Sequence, residues 1–113
     1  MALRAGEVYW AFADKRRPVV IISREELNRG EYVVVVPLTT AQLEVRRRLP
    51  NCALIDTAPG LKKCVAQGEM VSSLLRSDLI GAEEGPVVIL DGEIMREIVR
   101  AVGYMMLADC EPA

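Results

Sequence analysis

The 113-residue chain is 51% hydrophobic, 27% charged and only 4% aromatic, a balance typical of one globular domain rather than a disordered or fibrous chain. Its formal net charge of −2 excludes a general attraction for nucleic acid or anionic lipid, so any polyanion site must be local. Histidine, which proteins use most for proton transfer near neutral pH and for metal binding, is absent. We therefore expect one domain, residues 1–113, without a metal or other cofactor.

The three cysteines are far apart and form no CxxC pair, so they predict neither a disulfide framework nor a zinc site. They are expected to be small buried hydrophobes in a reducing compartment. The N-terminal residues lack the apolar stretch of a signal peptide, and no later apolar run approaches the roughly 18 residues needed to cross a bilayer. We expect a cytoplasmic protein with no membrane partner.

The first part of the chain is rich in strand signals. Residues 6–12 alternate apolar and other side chains, and residues 18–22 form a β-branched run with a proline at its start. Ser23 followed by Glu26 predicts an N-capped helical turn. Residues 32 to about 40 are the most β-prone stretch and are apolar on both faces, which predicts a central strand.

Weaker patterns follow in the middle of the chain. Leu43, Val45 and Leu49 alternate with charged residues, before a short strand at 52–55 and a Pro-Gly turn at 59–60. Strand character resumes at residues 61–67, and Gly68 indicates a bulge or a close approach of two backbones. Residues 70–79 predict strand ends around one helical turn, and residues 86–89 predict a last strand.

One amphipathic helix closes the pattern. Asp91 is a good N-cap, and apolar residues recur at steps of three and four from Ile94 to Met106. Met70, Met105 and Met106 are expected to fill the core or a dimer interface. A run of strands followed by one helix predicts a mainly β fold with α, either an antiparallel sheet or a small barrel with the helix packed on it.

Two short segments place chemically useful side chains at strand ends. Arg17 precedes Pro18, which restrains the arginine backbone, and a guanidinium is a planar, permanently charged donor suited to phosphate oxygens. Thr39 and Thr40 end the central strand with two hydroxyls. Taken singly, each segment is better explained by a solvated turn or by hydroxyls bonded to the turn backbone.

Four segments in a fixed order carry a resemblance to a known family. They are Gly6-Glu-Val-Tyr-Trp, Arg17-Pro-Val-Val-Ile-Ile-Ser, Val36-Pro-Leu-Thr-Thr and Val65-Ala-Gln-Gly-Glu-Met-Val, and the amphipathic helix follows them. This ordered set resembles the MazF/PemK toxins of type II toxin-antitoxin systems from about residue 6 to residue 107. The resemblance implies a small SH3-like β-barrel of the CcdB/MazF type with a C-terminal helix packed on it, assembled as a homodimer.

The resemblance also implies an activity and its residues. It implies a sequence-specific endoribonuclease, an mRNA interferase, that cleaves single-stranded mRNA without a metal by attack of the 2′-hydroxyl on the scissile phosphate. A cognate MazE-like antitoxin with an acidic segment would silence it. The family's two catalytic positions fall on Arg17 and Thr39. Supporting or acid–base roles are expected at Asp14, Arg16 and Thr40. RNA contacts are expected at Ser23, Arg46, Arg47, Gln67, Glu69 and Ser72.

Departures from the family pattern leave an alternative open. Only four residues, 13–16, separate Phe12 from Arg17, where many relatives have a longer Gly-rich loop that often carries a Glu. Asp14 is the nearest substitute, and Glu69 stands where relatives often have Gln. The Arg46–Arg48 run is also explained by a solvated loop. The alternative is a non-catalytic binding module, or a gyrase-poisoning toxin like CcdB, although residues 109–113 lack the terminal Trp-Gly-Ile motif of that group.

Overall fold

The computed structural model describes residues 2–12 and 15–106, so Asp14 and Cys110 lie outside the described residues. The described part contains strands β1 to β8 and helices α1 and α2, joined by turns and short 3-10 segments. The strands are β1 (Glu7–Phe12), β2 (Arg16–Ile21), β3 (Tyr32–Thr39), β4 (Cys52–Ile55), β5 (Cys64–Gln67), β6 (Ser72–Leu75), β7 (Leu79–Ile80) and β8 (Val88–Ile89). The helices are α1 (Leu43–Arg46) and α2 (Gly92–Met105).

The strands form one antiparallel network in the order β4-β5-β3-β2-β1-β7, with β6 added to β3 and β8 added to β1. Strand β3 is central, as predicted, because it pairs with β2 and β6 along most of its length and passes to β5 at Leu38 and Thr39. The predicted mainly β fold with a C-terminal helix is confirmed. Among the described residues β4 and β7 end an open path, so closure into an SH3-like barrel stays a prediction.

Both faces of the central strands are buried, because successive side chains of a strand alternate between faces. Val20 and Val36 belong to a core cluster covered by Ile98 and Ala101 of α2. The next residue along β2, Ile21, belongs to a second cluster on the other face. That second cluster comprises Leu3, Tyr9, Ala11, Val19, Ile21, Val33, Val35 and Leu79. Cys52 and Cys64 are buried, as expected.

Helix α2 begins where its sequence predicts. The Asp91 carboxylate accepts a hydrogen bond from the Ile94 amide at 2.9 Å, which satisfies one of the unpaired donors at a helix start. Gly68 lies against the same helix, since a Cβ built there would meet the Asn51 carbonyl at 2.6 Å and the Ala101 backbone at 3.0 Å. The close backbone approach predicted at Gly68 is confirmed.

Several local predictions were wrong. Strand β2 begins at Arg16 rather than Pro18, because Arg16 and Arg17 pair with Phe12 and Ala11 of β1. The helical turn after β2 is a 3-10 segment at Leu27–Arg29 and Ser23 does not cap it.

The weakly patterned segment that begins at Leu43 forms the short helix α1. Met70, Met105 and Met106 are 45–50% exposed, so none of them fills the core of the single chain. None of the helices in the described segments is long and apolar enough to cross a membrane.

Candidate active site

An open pocket of about 400 Å³ lies where β2 begins and β3 ends. It brings together Arg17, Thr39 and Thr40, three of the residues singled out from the sequence. The full lining is Trp10, Lys15, Arg17, Pro18, Leu38, Thr39, Thr40, Gly60, Leu61, Lys62 and Cys64. The lining is largely apolar, with three cations and two side-chain hydroxyls set into it.

Sheet register explains why Arg17 and Thr39 meet. The β2–β3 ladder ends at the pair Val19–Pro37, so Arg17, two residues before Val19, and Thr39, two residues after Pro37, lie beyond the same end of it. The backbone of Arg17 also pairs with Ala11 of β1, and that of Thr39 pairs with Val65 of β5. Each of the two positions is therefore held by a further strand, and not by a loop.

The Thr39 side chain is oriented by its own turn. Its Oγ1 accepts a hydrogen bond from the Ala41 amide at 3.1 Å, and the side chain is half-buried. A hydroxyl that accepts from the backbone still has its own proton to donate. Thr39 can therefore donate to an anionic oxygen in the pocket while its turn keeps the side chain in place.

The electrostatics of the pocket favour an anion. Lys15, Arg17 and Lys62 line it, and no carboxylate is among its described lining residues. Arg16 is not among the lining residues, and its guanidinium carbon lies 5.2 Å from the centre of the Trp10 ring, a cation–π distance. Arg16 therefore contacts the pocket wall through Trp10, and its supporting role stays a prediction.

Cys64 is the buried titratable group of the pocket wall. Burial of the thiol raises its pKa to about 11, so it is neutral at physiological pH. A neutral buried thiol packs as a small apolar group.

In residues 2–12 and 15–106 no group of three or more Cys, Asp or Glu side chains could hold a metal ion.

Two of the predicted RNA contacts lie in a separate polar cluster. Glu69 accepts from Asn51 Nδ2 at 2.8 Å and from Gln67 Nε2 at 3.3 Å. Gln67 is 5% exposed, and its Oε1 has no hydrogen-bond partner among the described residues. Burial, followed by the charge of Glu69, raises the pKa of the nearby Cys52 thiol. Neither Gln67 nor Glu69 lines the pocket.

Ser23 is a structural residue in this fold. It is 8% exposed, donates its hydroxyl proton to the Asn28 side chain and accepts from the Val34 amide at 3.0 Å. Asn28 Nδ2 in turn donates to the Leu3 and Ser23 carbonyls, each at 2.9 Å. Because the hydroxyl already serves two internal partners, Ser23 is not available to contact RNA.

The remaining predicted contacts lie at the surface and outside the pocket. Arg46 is half-buried in α1, Arg47 pairs with Glu44 at 3.5 Å, and Ser72 is exposed on β6. The other pocket residues were missed from the sequence: Trp10, Lys15, Pro18, Leu38, Gly60, Leu61, Lys62 and Cys64. The sequence signal for Lys62 is the Lys62-Lys63 pair after a Pro-Gly turn. That pattern does not predict which strand end lies next to the turn in the fold.

Comparison with known proteins places the chain in a family. Residues 4–106 match the family model described as a PemK-like, MazF-like toxin of type II toxin-antitoxin systems. No curated protein matches the chain significantly.

Solved structures give the same fold. A mycobacterial endoribonuclease in complex with its cognate antitoxin is 23% identical, with coverage of 99% of both chains and a TM-score of 0.77. The Mycobacterium tuberculosis toxin MazF-mt6 is 25% identical, with coverage of 87% of this chain and 93% of its own and a TM-score of 0.72. A MazE-MazF structure from Deinococcus radiodurans is 18% identical, with coverage of 93% and 96% and a TM-score of 0.74. The chain therefore belongs to the family of PemK-like, MazF-like toxins of type II toxin-antitoxin systems.

Proposed function

We propose that this toxin is an endoribonuclease that cleaves single-stranded mRNA at specific sequences, with Arg17 and Thr39 as its catalytic residues. The observation that carries the proposal is the meeting of these two side chains in one cationic pocket. Family membership and the mycobacterial endoribonuclease of the same fold support it.

The proposed reaction is an internal transfer that needs no metal. The ribose 2′-oxygen attacks the adjacent phosphorus, the bond from phosphorus to the 5′-oxygen breaks, and the proton lost by the 2′-hydroxyl is balanced by one gained at the leaving oxygen. Arg17 would neutralise the phosphoryl oxygens as negative charge develops, and Thr39 would donate a hydrogen bond to them. The products are a 2′,3′-cyclic phosphate and a 5′-hydroxyl, and DNA is no substrate because it lacks the nucleophile.

Two residues, Asp14 and Thr40, are candidates for proton transfer in this scheme. Asp14 stays a prediction, since it lies outside the described residues. Thr40 lines the pocket and can donate a hydrogen bond, but a hydroxyl is a poor base near neutral pH. The proposal therefore assigns electrostatic stabilisation to Arg17 and Thr39.

Family membership also indicates which proteins this toxin would bind. A cognate MazE-like antitoxin would bind through an acidic segment, and the toxin would work as a cytoplasmic homodimer. The antitoxin complexes of the mycobacterial and Deinococcus proteins support an antitoxin as a partner. Charge complementarity would make antitoxin binding weaken with added salt.

Cleavage of a mixed-sequence single-stranded RNA tests the proposal directly. We expect discrete fragments with cyclic-phosphate and 5′-hydroxyl ends, unchanged when EDTA is added. The matching DNA, and RNA carrying 2′-O-methyl groups, should remain intact. Intact RNA at protein concentrations that keep the fold and the dimer would rule out the ribonuclease and leave a binding module.

A further inference from the structure

The connection between β4 and β5 carries a lysine into the pocket. Lys62 lines the pocket together with Arg17 and Thr39, although it is far from both along the chain. None of the four segments that resemble the family contains it. We propose that Lys62 is a second cationic residue, after Arg17, that binds the phosphate at this site, a proposal that rests on the endoribonuclease function.

Two contacts join the two arms of the β4–β5 hairpin at the base of its loop. Ile55 and Cys64 form the last backbone pair of the two strands. Directly beyond them, Lys63 Nζ lies 3.2 Å from Asp56 Oδ1, an ion pair across the hairpin. The Ile55–Cys64 backbone pair closes the base of a short loop, which limits how far Lys62 can move, and the exposed ion pair beside it adds little to that restraint.

The tip of the hairpin is a defined turn. The Leu61 amide donates to the Ala58 carbonyl at 3.1 Å, and Gly60 has a φ of +82°. A proline at the second position and a glycine with positive φ at the third are the signature of a type II turn. The turn sets Leu61 against the apolar core cluster and leaves the following Lys62 at the pocket.

The two adjacent lysines differ in what surrounds them. Lys63 is neutralised by Asp56. Lys62 is exposed and makes no ion pair or hydrogen bond with any residue in the described part of the chain. Because the described pocket lining contains no carboxylate, the charge of Lys62 adds to that of Arg17 and is available to an incoming anion.

A phosphodiester suits this arrangement better than a carboxylate does. Its two non-bridging oxygens can accept from separate donors, a guanidinium fork and a more mobile ammonium. The apolar wall that includes Trp10 and Leu61 gives the attached base or ribose a surface to pack on. The pocket would thus hold a nucleotide of RNA, with Lys62 and Arg17 on its phosphate.

The test compares Lys62→Gln with the matched control Lys63→Gln and with the charge-preserving Lys62→Arg. Binding is measured by anisotropy of a labelled, mixed-sequence 2′-O-methyl RNA, which cannot be cleaved, over a series of salt concentrations. We expect Lys62→Gln to weaken binding about tenfold at low salt, as for loss of a hydrogen bond to a charged group. The slope of log affinity against log salt should fall by about 0.7, the value for one lost contact with a single strand.

The controls decide between a phosphate contact and a structural effect. Lys63→Gln should leave the salt slope unchanged, and Lys62→Arg should restore most of the affinity. Equal slopes for Lys62→Gln and the unaltered protein, or an equal loss in Lys63→Gln, would overturn the proposal.

Cleavage of unmodified RNA tests the endoribonuclease activity separately from the Lys62 phosphate contact. Cleavage by the unaltered protein with no Lys62 effect refutes the inference alone. Lys62-dependent binding without cleavage upholds the inference and refutes the ribonuclease. Failure of the unaltered protein to bind RNA would overturn both.

Discussion

The polar side chains at the two ends of strand β2 differ in their surroundings. At its start, Arg17 is half-buried and lines an open pocket with cations and hydroxyls. Just beyond its end, Ser23 and Asn28 are 8% and 1% exposed, and their side chains bond to each other and to the backbone. Each end has a residue that was predicted to act on RNA, Arg17 at the first and Ser23 at the second, and only Arg17 lines an open pocket.

The difference lies in where the hydrogen bonds go. A buried polar group without a partner costs free energy, so the Ser23–Asn28 pair must be satisfied from inside the protein and serves stability. Side chains at a pocket keep part of their bonding capacity for a ligand. Mutations at the first end should therefore change activity with little loss of stability, and mutations at the second end should do the reverse.

The largest expected effect is on cleavage by Arg17→Gln. We expect cleavage to fall about 10³-fold, because the variant loses a fixed positive charge aimed at the phosphate. The free energy of unfolding, measured by urea denaturation, should change by less than about 1 kcal/mol. Arg24→Gln, an exposed arginine at the other end of β2, is the matched control and should cleave normally. Normal cleavage by Arg17→Gln would remove Arg17 from the mechanism.

Asn28→Ala should produce the largest loss of stability. It removes two donated hydrogen bonds and one accepted bond at a fully buried position, which amounts to about 3 kcal/mol. Urea denaturation measures the loss, and Asn51→Ala, an amide bonded to the exposed Glu69, serves as the control with a small effect. The folded fraction of Asn28→Ala should still cleave RNA. A stable but inactive variant would contradict the division between the two ends.

A smaller loss of stability is expected for Ser23→Ala. The variant leaves the Val34 amide without its acceptor and should lower the free energy of unfolding by about 1.5 kcal/mol. Its affinity for 2′-O-methyl RNA should equal that of the unaltered protein, because the hydroxyl lies inside. If Ser23→Ala bound RNA more weakly while its free energy of unfolding was unchanged, Ser23 would be an RNA contact after all.

The smallest expected effect concerns Cys64 and pH. Burial raises the pKa of this thiol to about 11, so it stays protonated from pH 7 to pH 9 and contributes no ionisation to cleavage there. The rate–pH profile of Cys64→Ala should therefore keep the shape of the unaltered profile over that range. Loss of one limb of the profile in the variant would show that the thiol takes part in proton transfer.

Prediction from sequence succeeded where the deciding contacts are local. The Asp91 cap bonds to an amide three residues away, and the β-branched run that becomes β3 is a property of neighbouring residues. It failed at Ser23, whose hydroxyl bonds to the Asn28 side chain and to the Val34 amide, 11 positions away, and caps no helix. A capping pattern at Ser23 looks the same whether the hydroxyl ends at a helix or in the core.

The sequence by itself determined the strand content, the capped C-terminal helix, and an arginine and a threonine at strand ends, since each follows from local spacing and backbone preference. The tertiary structure alone decided which of the polar side chains share a pocket. Strand register placed Arg17 and Thr39 beyond the same end of the β2–β3 ladder, the β4–β5 hairpin added Lys62, and Gln67 and Glu69 joined a separate cluster. Such groupings depend on pairing between strands far apart in the chain, which no local pattern encodes.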